Sequence, residues 1–60
     1  MKTVKMIATV RYSVELLENT AGMYVIAYAN LNVARTSEPI KDLNTALYLF
    51  QLKQDELEGQ

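Results

Sequence analysis

The residues Glu18-Asn19-Thr20-Ala21-Gly22-Met23-Tyr24-Val25-Ile26 decide how this chain folds, because here one strand pattern stops and another begins. Asn19 and Gly22 tolerate the positive φ of a tight turn. Upstream, the even positions Val4, Met6, Ala8, Val10, Tyr12, Val14 and Leu16 are apolar, and the odd positions from Thr3 to Glu15 are polar except Ile7. That alternation predicts one strand over residues 3–17 with a single buried face. Downstream, Met23, Val25, Ala27, Ala29, Leu31 and Val33 share one row and Tyr24, Ile26 and Tyr28 the other, which predicts a second strand over residues 23–34. A turn over residues 18–22 joins them into a long antiparallel hairpin.

The register of that hairpin determines which row is core, since a slip of one residue moves every side chain to the opposite face. A loop running from Asn19 to Gly22 pairs Leu16 with Val25, Val14 with Ala27 and Tyr12 with Ala29, setting large side chains against small ones. On this reading Leu17, Tyr24, Ile26 and Tyr28 lie together on the outer face.

Past Arg35-Thr-Ser-Glu-Pro39 the period changes. Pro cannot donate to a ladder, whereas Ser37 can cap a helix whose first turn accepts Glu38 and Pro39. The spacing predicts a helix over residues 38–58 stopped by Gly59, with Ile40, Leu43, Leu47, Phe50 and Leu57 as its core stripe, Ala46 on the flank and Gln54 the polar exception. Leu49 and Leu52 fall on the far side of that helix, beside Tyr48. The fold class is therefore α+β: one domain over residues 1–60, a hairpin with room for a short third strand, packed against one C-terminal helix.

A 60-residue chain buries only about 60% of its unfolded surface, so small domains often lean on disulfides, metals or self-association. With no Cys and no His, neither a disulfide nor the usual zinc or haem ligation is available. Self-association as a homodimer is the remaining expectation. No membrane-length apolar run or secretory-signal pattern is visible, which sets the expected compartment as the cytosol.

No constellation for catalysis emerges. Ser37 near Lys41 is the only nucleophile–base pairing within reach, and turn chemistry explains both residues. Glu38 and Asp42 suit a helix start, while Asp55, Glu56 and Glu58 make an acidic end. No acidic group has calcium-loop spacing, and Gly22 and Gly59 are the only glycines, so phosphate-loop and dinucleotide motifs are missing. No cofactor is expected. The net charge is -1 and the six basic residues are dispersed, which disfavours an extended phosphate-tracking surface. Lys5, Arg11, Asn30 and Asn32, with Tyr28 for stacking, nonetheless outline an alternative single-stranded nucleic-acid-binding module.

The run from Gly22 to Leu31, then Thr36-Ser-Glu and the helix around Asp42-Leu-Asn-Thr-Ala-Leu47, resembles the HicB-type antitoxin N-terminal module. Ala29-Asn-Leu-Asn32 stands where that family has Pro-Asp-Leu-Pro, and Glu38-Pro39 where it has Gly-Asp. The resemblance implies a β-β-β-α order, with a short strand near residues 34–37, and a role in neutralising a partner protein. The expected function is thus non-enzymatic: binding a macromolecular partner through Leu17, Tyr24, Ile26, Tyr28, Leu49 and Leu52, as small antitoxins and phage-encoded inhibitors of host defence do. A structural subunit of a larger assembly is a further alternative.

Overall fold

A computed structural model describes all 60 residues. Four strands, β1 (Lys2–Ala8), β2 (Tyr12–Glu18), β3 (Tyr24–Asn30) and β4 (Ala34–Thr36), precede a single helix, α1 (Leu43–Glu58). The strands form one antiparallel meander in the order β1-β2-β3-β4. Helix α1 lies across β2 and β3 on one side of the sheet. The α+β class, the hairpin, the short strand after it and the C-terminal helix are those expected from the sequence.

The strand expected over residues 3–17 is instead two strands joined by a turn at Thr9–Arg11, giving one strand more than the β-β-β-α order. This turn contains no Gly, Pro or Asn. The Thr9 hydroxyl accepts the backbone N–H groups of Arg11 and Tyr12 at 3.2 and 3.1 Å, and the Thr9 N–H donates to the Tyr12 carbonyl at 2.7 Å. A threonine side chain thus supplies what turn residues usually supply. The even-position alternation runs straight through it by coincidence, and Val10 ends up 99% exposed at the tip.

The β2–β3 register also departs from the large-against-small pairing. Leu16 pairs with Ile26, Leu17 with Val25 and Val14 with Tyr28. The loop is one residue longer than expected because Asn19 closes it onto Met23: the Asn19 N–H donates to the Met23 carbonyl, and the Asn19 side-chain oxygen accepts the N–H groups of Ala21 and Met23. Gly22 adopts a φ of 78° to complete the return. The one-residue slip places Ile26 in the core and turns Ala27 and Ala29 outward.

The core consists of Tyr12, Val14, Leu16, Ile26, Ala46, Phe50 and Leu57, with Ile7, Tyr24, Tyr28 and Ile40 packed around it. Phe50, at the centre of α1, is fully buried. Leu43 and Leu47, expected in the core stripe, are 38% and 36% exposed at its margin. The helix starts at Leu43, not at residue 38, because residues 37–40 continue along the sheet: Ser37 N–H donates to the Ile26 carbonyl, and Ile40 exchanges backbone hydrogen bonds with Tyr24. Asp42, not Ser37, is the N-cap, accepting the Thr45 N–H at 2.8 Å and its hydroxyl at 2.9 Å. Gly59 ends the helix, its N–H on the Asp55 carbonyl.

Candidate functional site

The six residues expected at a partner surface divide between three environments. Ile26 is 3% exposed and belongs to the core, so it presents nothing to a partner. Tyr24 and Tyr28 are half-buried against the same core, on the helix side of the sheet, not on its outer face. The longer Asn19–Met23 loop is the cause of all three corrections. Leu17 alone lies on the outer face, paired with Val25. Leu49 and Leu52 are exposed on α1, at 37% and 45%.

Two surfaces result. The first is a groove of about 340 Å³ between α1 and the β3–β4 side of the sheet, where Tyr28, Ile40, Leu49 and Leu52 converge with the edge of Ile26. Lys53 crosses its rim with its Nζ 4.3 Å from the centre of the Tyr28 ring and 3.2 Å from both Glu56 carboxylate oxygens. The cation is thus satisfied by an aromatic face and an acid, and the groove presents apolar carbon.

The second surface is the whole sheet face opposite α1. The pairings place Met6, Glu15, Ala27 and Thr36 in one cross-strand row and Ala8, Ser13, Ala29 and Ala34 in the next, with Leu17 and Val25 beyond them. Glu15 is the one charged side chain in these rows, and it accepts the Thr3 hydroxyl. Between the alanines, Ser13, Glu15 and Thr36 lies a shallow hollow of about 290 Å³, to which Tyr28 and the Arg35 cation also contribute. Met6 stands 54% exposed beside it. Sequence reasoning missed Met6, Ala27, Ala29 and Ala34 as outer-face residues, along with Val25, which faces that side but is buried; the loop that ends at Met23 turns the β3 residues, whereas the Thr9–Arg11 turn and the β1–β2 pairing turn Met6.

The nucleic-acid candidates are partly gathered and largely engaged. Arg11, Asn30 and Asn32 do meet, around a hollow of about 230 Å³ at the C-terminal end of α1. There the Arg11 guanidinium donates to the Glu58 and Gln60 carbonyls and lies 3.4 Å from the Glu58 carboxylate. Asn30 accepts the N–H groups of Asn32 and Val33 and donates to the Gln60 side chain. Lys5 lies elsewhere, with its Nζ 5.1 Å from the centre of the Phe50 ring on the helix side.

Two groups have perturbed acidity, both for structural reasons. The Tyr12 phenol donates to the Glu58 carboxylate at 2.7 Å; this bond, then burial and the Glu58 charge, push it above its ordinary value, against a partial pull from Gln54 and Arg11. Asp42 is held below the usual carboxylate range by the Thr45 N–H and hydroxyl. The Ser37 hydroxyl is occupied by the Ile26 N–H and the Glu38 carbonyl, so it is a backbone tie. No group of three or more His, Cys, Asp or Glu side chains could hold a metal ion, and no helix is long and apolar enough to cross a membrane.

No protein-family model, curated protein or solved structure matches this chain.

Proposed function

We propose that this chain is a non-enzymatic protein-binding module whose open sheet face covers a surface of a partner protein, in the manner of the small neutralisers to which the HicB resemblance points. The observation carrying this reading is the composition of that face: Met6, Ala8, Ala27, Ala29, Ala34 and half-buried Leu17 among Ser13 and Thr36, with Glu15 and Arg35 the charges at its hollow. Small side chains let another backbone approach closely, while Met6 and Leu17 offer adaptable and branched apolar contacts at the edges of the hollow. The helix covers the other side; on this face Val25 is buried, while Met6 and the part-exposed alanines are available for recognition. Activity would come from occlusion of the partner, in the cytosol, with no cofactor.

Recognition of single-stranded nucleic acid is the weaker reading, because Arg11 and Asn30 are tied to the end of α1. Affinity capture from native-host lysate, followed by mass spectrometry, tests the proposal when wild type is compared with a Met6→Glu/Leu17→Glu variant. Proteins retained by wild type and lost by the variant are expected. Identical capture by both chains would sink it, as would salt-sensitive binding of single-stranded oligonucleotides with no protein captured.

A further inference from the structure

We infer that α1 is also a self-association seam, joining two copies of this chain through an antiparallel pair of helices seated in the groove beside Leu49 and Leu52. Thr45, Leu49, Leu52 and Glu56 follow one another at four-three-four spacing, the repeat with which one helix packs along another. All four are exposed, and the groove lined by Tyr28, Ile40, Leu49 and Leu52 runs alongside them.

The pattern reads the same in both directions. When a second helix is laid antiparallel, Leu49 of one copy meets Leu52 of the other, and the same contact recurs across the two-fold axis. In that register Thr45 faces Glu56, so apolar layers lie at the centre and polar ones at the ends. Charge fixes the direction. The last turn of α1 has no basic residue and carries Asp55, Glu56 and Glu58 at the negative end of the helix dipole; Lys53 pairs with Glu56 and Arg11 with Glu58, so Asp55 and the dipole supply the residual negative charge there. Its first turn has no acidic residue, Lys41 precedes it, and the Asp42 carboxylate is engaged by Thr45. Antiparallel packing sets the acidic end of each helix beside the positive end of the other; parallel packing would set the acidic ends together.

Two other routes to a homodimer are less favourable. Face-to-face pairing of the open sheets would take both charges that line the hollow, Glu15 and Arg35, out of water. Edge pairing through β1 meets the irregularity between Thr3 and Lys5. The inference does not depend on which partner covers the sheet face. It deepens the architecture, since a helix-to-helix dimer leaves both open faces pointing outward.

Sedimentation equilibrium over a concentration series is the test. A monomer–dimer equilibrium is expected, with Kd raised at least tenfold by Leu52→Glu and circular dichroism unchanged, because Leu52 lies outside the core. The chain has no Cys, so a Thr45→Cys/Glu56→Cys variant treated with a short bismaleimide should give a covalent dimer and each single variant none. Positions 45 and 56 are eleven residues apart on one helix, roughly 16 Å, too far for that reagent to bridge within a copy. A monomer at every concentration overturns the inference. So does a dimer that survives Leu52→Glu, and its loss on Met6→Glu would move the contact to the sheet face.

Discussion

Phe50 is the residue on which the core closes. It is fully buried where α1 crosses the sheet, and Lys5 covers the outer margin of its ring. Phe50→Ala should cost about 3–5 kcal/mol, comparable to the total stability of roughly 3–9 kcal/mol available to a chain of this size. Urea titration should therefore find that variant largely unfolded without denaturant. Tyr12 carries a different signature. Its phenol is stabilised in the neutral form by Glu58, so the folded-state pKa is raised above the unfolded value near 10. The stabilisation is complete below that unfolded value and is lost as pH rises through the folded one. Thermal melts from pH 8 to 11 should show this alkaline loss in wild type and a smaller one in Tyr12→Phe. Asp42 behaves in the opposite sense: its depressed pKa gives stability that is present above the ordinary carboxylate value and lost on acidification.

Among the elements, the β2–β3 loop is held by a side chain that bonds the backbone twice. The Asn19 side chain accepts two backbone N–H groups, so Asn19→Ala should destabilise by about 1–2 kcal/mol, read as a lowered urea midpoint with unchanged slope. Gly22→Ala should cost about 1 kcal/mol through φ alone, since no atom lies within 4 Å of the added methyl. The same loop marks the limit of what the sequence discloses. The hairpin and the helix were legible because period-two and three-four spacing, with Gly22 and Gly59 as punctuation, are local signals; the short β4 was implied only by the resemblance to the HicB-type module. The register was not, because loops ending at Gly22 and at Met23 both give a continuous apolar face, and only the tertiary fit of Ile26 against Phe50 separates them. The Thr9–Arg11 turn was hidden for another reason: its hydrogen bonds come from a residue type that strands also favour. The helix start was misplaced because Ser37-Glu-Pro39 has the chemistry of a cap, yet pairs with β3 instead.

At the scale of the molecule, the sheet has one closed side and one open side, and mutations should sort by side. Met6→Glu, 54% exposed on the open side, should leave the unfolding free energy of the monomer within about 0.5 kcal/mol of wild type, as expected for a surface position. A loss of several kcal/mol in this variant would show that this part of the face belongs to the core. For the candidate surfaces, the sequence disclosed Leu49 and Leu52, which are exposed, and Leu17, which is half-buried on the outer face, and misassigned Tyr24, Ile26 and Tyr28. Those three pointed outward only under a register that the Asn19 hydrogen bonds exclude.

Strand β1 is the longer free border of the sheet, and the exposed Lys5 extends from it over the margin of the Phe50 ring on the helix side. A lysine beside an offset in the ladder makes a poor template for an incoming strand, which would guard this edge against fibril growth. Lys5→Val would remove that guard while adding apolar cover to the aromatic ring. The expected outcome is a molecule that melts later yet seeds thioflavin-positive aggregates sooner, so that gains in stability and losses in solubility arise from one substitution.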